Sequence, residues 1–204
     1  MLRAITDFLF PPICLACKKE LSENLLCDTC WSEITDLVIF NFDYFHGFKV
    51  YSLFKYSGKV EELIKNLKYS GFREVVKLFS NHLANLVSNE DFDVITPVPL
   101  HPARVRERGF SQTLEMAKIL SLRLGKPIRE YIFRHSYRKI QSSLSYDERA
   151  KNLKGAYSFL KPIPGERILI VDDVITSGYT FYECARTLIE AGAEEVIGLT
   201  LARA

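Results

Sequence analysis

The strongest constraint on the fold is a stretch in which an apolar run gives way to acids, hydroxyls and glycine. Residues 168–180 read Ile-Leu-Ile-Val-Asp-Asp-Val-Ile-Thr-Ser-Gly-Tyr-Thr. A short apolar run bounded by turn residues is typical of a buried strand. The first amides of a helix have no internal partners, and the helix dipole favours an anion beside them. The stretch therefore predicts a buried strand, an anion-binding turn and a helix, in that order.

The side chains of this turn divide into two groups by charge. A glycine lets the backbone close around a phosphate, and hydroxyl groups supply further donors. These residues predict a phosphate cup made of Thr176, Ser177, Gly178, Tyr179 and Thr180. The adjacent carboxylates of Asp172 and Asp173 would repel a phosphate and instead suit a diol or Mg²⁺. No Gly-Lys-Ser/Thr follows, so the turn is not a Walker P-loop.

The rest of the second half alternates between strand and helix patterns. Apolar spacing and turn residues predict helices over 59–69, 75–87, 112–124 and 178–190, and strands over 49–56, 93–98, 131–134, 167–172 and 195–201. Residues 99–109 are rich in proline and arginine and predict a loop. Residues 135–155 are polar and basic and predict a mobile loop. Alternating strands and helices indicate an α/β fold with a parallel sheet, whose ligand sits at the carboxyl ends of the strands.

Four cysteines near the N-terminus have the spacing of a metal site. Cys14, Cys17, Cys27 and Cys30 form two Cys-x-x-Cys pairs separated by a short loop. Each pair can direct two thiolates at one ion, which suits a tetrahedral structural zinc site. Two disulfides are the alternative, and a reducing cytosol disfavours them. Cys184 is isolated on a predicted helix and is expected to pack in the core.

Composition and charge narrow the class of protein. The chain has 204 residues, of which 48% are hydrophobic and 25% charged, which excludes a disordered protein. No run approaches the ~18 apolar residues of a membrane-spanning helix. The first 14 residues lack a small-residue cleavage site, so we expect no signal peptide and a cytoplasmic protein. Residues 101–204 are net basic, which favours anion binding but is weaker than the charge of a dedicated duplex-DNA binder.

Residues 168–180 resemble the phosphoribosyl pyrophosphate (PRPP) signature of type I phosphoribosyltransferases. The resemblance implies that Asp172 and Asp173 are catalytic, that the phosphate cup holds the 5-phosphate of PRPP, and that Mg²⁺ accompanies PRPP. It places pyrophosphate on the 99–109 loop, whose candidate donors are His101, Arg104, Arg106 and Arg108. It also implies a flexible lid over 135–155, with candidate residues Arg138, Lys139, Arg149 and Lys151. Thr176 stands where 6-oxopurine enzymes carry an acid, which argues against purine salvage.

The whole chain resembles the competence protein ComF (ComFC-like) family. The similar segments are 10–14 with the four-cysteine motif, 67–71, 98–112, 141–149 and 152–157. The resemblance implies a type I phosphoribosyltransferase-like parallel sheet flanked by helices, joined to a small N-terminal zinc module, and a link to DNA uptake in natural transformation. We expect a zinc-binding module over 1–35, an aromatic and helical connecting segment over 36–90 that could form a hood, and a phosphoribosyltransferase-like domain over 91–204.

Three functions stay open at this level. The chain could be an active phosphoribosyltransferase for an unidentified acceptor other than a 6-oxopurine. It could instead be a non-enzymatic DNA-uptake factor that binds PRPP as a signal or stabilising ligand and contacts the uptake proteins. It could also bind single-stranded DNA through the zinc module, the basic loops and the aromatic residues of 31–57, although core packing is the more common use of such rings. The last two functions are compatible, and together they are the preferred interpretation.

Overall fold

A computed structural model describes residues 13–19, 24–67, 72–135 and 155–204 of the chain. Its helices are α1 (Asp28–Thr35), α2 (Gly58–Asn66), α3 (Phe72–Leu86), α4 (Pro102–Arg108), α5 (Gln112–Leu124) and α6 (Tyr179–Glu190). Its strands are β1 (Val38–Phe45), β2 (Phe48–Lys55), β3 (Val94–Pro97), β4 (Ile132–Arg134), β5 (Tyr157–Phe159), β6 (Arg167–Ile175) and β7 (Glu195–Arg203). Within these residues no helix is long and apolar enough to cross a membrane.

Five strands form one sheet in the order β1-β2-β7-β6-β3. The pairs β2–β7, β7–β6 and β6–β3 are parallel, and only the edge strand β1 runs antiparallel to its neighbour. Strands β4 and β5 form a separate antiparallel pair. The mostly parallel α/β sheet predicted from the sequence is therefore confirmed, and the carboxyl ends of its parallel strands share one edge.

The sheet separates two apolar layers, because alternate residues of its strands point to opposite faces. Leu169 and Val171 of β6 face one layer, with α3 and α5, whereas Ile168 and Ile170 face the other, with α6. All four side chains are fully buried. A strand that is buried on both faces reads as an unbroken apolar run. This burial explains why the apolar run before the two aspartates predicted a buried strand.

The helices and strands named in the sequence analysis are present, with bounds that differ by up to three residues. The strand predicted over 167–172 continues to Ile175, because β7 pairs with it up to Ile175–Arg203. The predicted loop 99–109 contains helix α4. His101 caps this helix at its start, Pro102 fits its first turn, and Gly109 ends it at a φ of 78°. Helix α1, inside the predicted zinc module, and strands β1 and β5 were not predicted as elements from the sequence.

Candidate functional site

A cleft of about 320 Å³ opens at the carboxyl edge of the parallel strands. Strand β3 runs into one wall through Val98, Pro99 and Leu100, and β6 supplies the two aspartates at its base. Tyr56 and Ile64, at the end of β2 and on α2, form an apolar wall. The cleft is thus assembled from both halves of the chain, at the edge where open α/β sheets bind ligands.

A small cup of about 40 Å³ adjoins this cleft. Its lining includes all five residues predicted to hold a phosphate, Thr176, Ser177, Gly178, Tyr179 and Thr180. Gly178 precedes the first turn of α6 at a φ of 77°, a backbone conformation that favours glycine. The cup therefore lies at a helix N-terminus, with the amides of that turn available to an anion.

The floor of the cup contains a residue that the sequence analysis missed. Thr200 of β7 lines the cup and stands opposite Asp172 in the strand register. Its hydroxyl hydrogen-bonds that of Ser52 at 2.8 Å inside the sheet. Only the pairing of β7 with β6 brings Thr200 to the site, so no local sequence pattern could have pointed to it.

The acidic pair lies where the cup meets the cleft. Asp172 lines both spaces, and Asp173 lines the cleft. Burial, and then the charge of Asp173, raise the pKa of Asp172 well above its ordinary value. A cation or hydroxyl donors bound beside this carboxyl group would stabilise its charged form. The two groups are thus placed to hold Mg²⁺ or a ribose diol beside a bound phosphate.

The four candidate pyrophosphate donors do not share one position. Arg108 lines the cleft, whereas His101, Arg104 and Arg106 are not among its lining residues. Nδ1 of His101 accepts a hydrogen bond from the Ala103 amide at 3.1 Å, and Arg104 bridges Glu107 at 3.1 Å. A pyrophosphate role for these four residues stays a prediction. Of the four, Arg108 is the one that the geometry places beside the aspartates.

Gln112 was missed by the sequence analysis and lies next to Arg108. Its side chain is 1% exposed and lines the cleft, yet its Nε2 has no hydrogen-bond partner. Nη1 of Arg108 donates to Gln112 Oε1. Because arginine only donates, this contact requires the oxygen to face Arg108 and leaves the amide nitrogen as a donor. An acceptor atom of a ligand would satisfy that buried donor.

Strands β4 and β5 bring Arg134 and Tyr157 to the lining of the cleft. The Tyr157 hydroxyl is buried beside the Cys184 thiol, and burial raises the pKa of Tyr157. These strands flank the segment predicted to form a lid. Its candidate residues Arg138, Lys139, Arg149 and Lys151 lie outside the described residues. The described part of the chain therefore places one further cation, Arg134, at the base of that segment.

The four N-terminal cysteines form a compact cluster. Their sulfur atoms all lie within 4.8 Å of one another, and all are free thiols. A tetrahedral zinc site with sulfur ligands needs sulfur–sulfur distances of about 3.8 Å, so the cluster fits one zinc ion. Burial alone would raise the pKa of the Cys14 thiol, but hydrogen bonds from the backbone of Cys17 and Cys27 lower it to about 6. Four protein ligands leave no open position, which indicates a structural ion.

The cysteine cluster is built into the main core. Cys14, Ala16 and Ile34 are fully or almost fully buried in the same layer as α2 and α3. The Asn66 amide at the end of α2 donates to the Ala16 carbonyl at 2.6 Å. Because α2 also carries Ile64 of the cleft wall, the metal module supports one side of the cleft.

Two family models match the chain, one over the N-terminal cysteine cluster and one over the parallel sheet. A family model described as double zinc ribbon domain matches residues 5–38. A second, described as phosphoribosyl transferase domain, matches residues 78–204, which is more than half of the chain.

The chain belongs to the phosphoribosyl transferase domain family.

Relatives extend the similarity over most of the chain. Competence protein F of Haemophilus influenzae is 26% identical over 94% of this chain and 90% of its own length. Competence protein ComFC of Bacillus subtilis is 28% identical over 94% and 78%. DNA utilization protein YhgH of Escherichia coli K12 is 32% identical over 69% and 66%. The predicted membership of the ComF family, with its zinc ribbon and phosphoribosyltransferase fold, is confirmed.

Proposed function

We propose that this chain binds Mg-PRPP and acts in DNA uptake, where it handles single-stranded DNA in the cytoplasm. The proposal that the chain binds Mg-PRPP rests on the place where the cup meets the cleft. A phosphate cup of five residues adjoins two carboxylates, and Arg108 and Arg134 line the space beyond them. This order of groups matches a 5-phosphate, a ribose diol with Mg²⁺, and a pyrophosphate.

Calorimetric titration of Mg-PRPP into zinc-loaded protein tests this binding. We expect saturable binding that is lost in the double variant Asp172→Asn/Asp173→Asn. Asp36→Asn, which changes an exposed acid outside the cleft, is the control and should bind as the wild type does. Absence of binding to the wild-type protein would overturn the proposal.

The DNA role is supported by the names of the relatives and by the surface around α3. Rings on one side of this helix are in contact: Trp31 stacks on Phe79 at 5.9 Å, and His82 lies 6.4 Å from Phe79 and 5.7 Å from Phe40. Trp31 and Phe40 are 41% and 50% exposed. Exposed rings of this kind can stack on the bases of a single strand.

The neighbouring face of α3 is basic. A groove of about 490 Å³ between α3 and α5 is lined by Arg73, Lys77, Lys118 and Arg123 together with apolar side chains. Glu115 bridges Arg73 at 3.7 Å and Lys118 at 2.6 Å, so the cations exceed the acid. Lys77 in the groove is followed directly by Leu78, which lines a second groove with Trp31. Cations beside exposed rings fit the phosphates and bases of a single strand.

Fluorescence anisotropy with a labelled oligothymidylate tests this surface. We expect Lys77→Gln/Arg123→Gln to weaken binding and to reduce the salt slope by about 0.7 for each lost phosphate contact. Lys59→Gln/Lys65→Gln, which removes two lysines of α2 outside the groove, is the control. If both double variants had equal effects, or if binding did not depend on salt, the proposed DNA-binding role of this groove would be wrong.

The alternative function is catalysis, in which an acceptor nitrogen bonds to the anomeric carbon and pyrophosphate leaves. It is favoured by the unpartnered amide nitrogen of Gln112 and by the apolar wall of Tyr56 and Ile64. These groups offer an acceptor both hydrogen bonds and an apolar surface. Release of pyrophosphate from Mg-PRPP in the presence of candidate acceptors, nucleic acid included, is the measurement. Binding without release would favour a ligand or signal role.

A further inference from the structure

The tip of the β1–β2 hairpin contacts the phosphate cup from outside the matched phosphoribosyl transferase segment. Phe45 and Phe48 pair across a two-residue turn formed by His46 and Gly47. Both turn residues have positive φ, 51° and 88°. Turns of this geometry prefer asparagine followed by glycine. The turn by itself therefore does not explain a histidine at the first position, and the contacts of its ring do.

The ring of His46 is held against the start of α6. Its centroid lies 4.6 Å from that of Tyr179 and 5.1 Å from that of Tyr182. Phe45 occupies the space in which a side chain at Gly178 would point, since a Cβ there would meet Phe45 Cδ1 at 2.7 Å. Two consecutive residues of the hairpin tip thus press on the turn that forms the cup.

His46 also makes a polar contact with that turn. Its Nε2 lies 3.2 Å from the carbonyl oxygen of Ser177. Because a carbonyl oxygen only accepts, Nε2 carries the hydrogen in this contact. A trans peptide bond places the following N–H, that of Gly178, on the opposite side from this carbonyl. Holding the Ser177 carbonyl toward the hairpin therefore holds the Gly178 N–H away from it.

We infer that His46 is a positioning residue for the phosphate cup, and that it fixes the Ser177–Gly178 peptide so that the Gly178 amide faces a bound phosphate monoester. The inference rests on the proposed function, since it concerns the 5-phosphate end of the same ligand. Consecutive amides directed at one point form an anion-binding concavity. A peptide that rotates would present its carbonyl to the phosphate instead, which opposes binding.

Calorimetry with two partial ligands isolates this effect. Ribose 5-phosphate probes the cup, and magnesium pyrophosphate probes the other end of the cleft. His46→Phe keeps an aromatic ring but removes the donor, and His46→Asn keeps a residue that the turn prefers. His135→Phe is the matched control, because His135 also contacts a ring, that of Phe133, and lines neither the cup nor the cleft.

We expect both His46 variants to bind ribose 5-phosphate about 3- to 10-fold more weakly, the loss of one hydrogen bond. Magnesium pyrophosphate binding and the control variant should be unchanged. Unchanged ribose 5-phosphate binding in folded variants, or equal weakening of both ligands, would overturn the inference while leaving PRPP binding in place. A wild-type protein that binds neither ribose 5-phosphate nor Mg-PRPP would refute the proposed function and the inference together.

Discussion

At the residue scale, the site contains polar groups whose burial costs stability. Asp172 has a raised pKa because of its burial and the neighbouring Asp173. The buried amide nitrogen of Gln112 has no partner. An unpartnered buried polar group such as the Gln112 amide nitrogen costs about 1–3 kcal/mol, and burying Asp172 beside a second carboxyl group also lowers stability. Their shared position in one cleft supports the proposal that a ligand satisfies them.

Replacing Asp172 by asparagine should separate stability from binding. The raised pKa of Asp172 means that the folded protein loses stability as pH rises and the carboxyl ionises. We therefore expect Asp172→Asn to raise Tm by about 2–4 °C at pH 7.5. The same change should abolish Mg-PRPP binding. Differential scanning calorimetry and titration of one preparation measure both, and a lower Tm would contradict the explanation.

Arg108 and Arg106 provide a matched pair on α4. Arg108 lines the cleft and is bonded to Gln112, whereas Arg106 is exposed and not among the cleft residues. We expect Arg108→Ala to weaken Mg-PRPP binding about 10- to 100-fold, the effect of a charged hydrogen bond. Arg106→Ala should change it by less than about twofold. Similar losses in both variants would support the pyrophosphate role predicted for Arg106 from the sequence.

At the element scale, the zinc ribbon and the β1–β2 hairpin support the site without forming its motif. The ribbon packs in the core layer of α2 and α3, and Asn66 ties α2 to the carbonyl of Ala16. The hairpin packs against the start of α6. Both contacts cross from the N-terminal part of the chain to the cleft. The division of the chain at residues 35 and 90 stays a prediction.

Zinc removal should therefore weaken both the fold and the cleft. We expect chelation to lower the free energy of unfolding by at least about 4 kcal/mol, the value for a metal present at a thousandfold its Kd. Mg-PRPP affinity should fall as well, because Ile64 of the cleft wall lies on α2. Calorimetric scans with measurement of released zinc provide the test. An unchanged Tm after complete zinc release would contradict a structural role.

At the scale of the whole molecule, acids after α3 connect distant strands. Glu90 accepts hydrogen bonds from Lys49 at 2.7 Å and from Tyr51, both on β2. Asp93 binds the backbone amide of Arg167 on β6 at 2.8 Å as well as its side chain. Hydrogen bonds from these groups lower the pKa of both carboxyl groups. Glu90 therefore ties the segment after α3 to β2, and Asp93 ties it to β6.

The lowered pKa values predict acid sensitivity. A carboxyl group whose pKa is lower in the folded state stabilises the protein above its unfolded pKa of about 4, and this stabilisation is lost as pH falls through the folded value. We expect Glu90→Gln to reduce the free energy of unfolding by about 1 kcal/mol at pH 7. The difference from wild type should shrink below about pH 4. Urea unfolding across this pH range measures it, and a difference independent of pH would contradict the assignment.

The sequence by itself determined the parts of this protein that depend on neighbouring residues. The sequence predicted three features: the cup of residues 176–180, its adjoining acids and the Cys-x-x-Cys pairs. Each could be predicted because the residues that form it are close together in the sequence. The strands and helices of the parallel sheet were legible for the same reason, since their periodicity is local. The capped turn α4 was missed because its proline and arginine content resembles that of a loop.

Only the tertiary structure decided which distant residues complete the site. Thr200 reaches the cup through strand register, Gln112 and Tyr157 line one cleft from different elements, and His46 reaches Ser177 from a hairpin 131 positions away. Such contacts depend on the packing of whole elements, and a shift of one residue in register would turn each strand residue to the opposite face. The chemistry of residues 172–180 therefore depends on neighbouring residues, whereas the shape of the cleft around them depends on how the strands of the sheet pair.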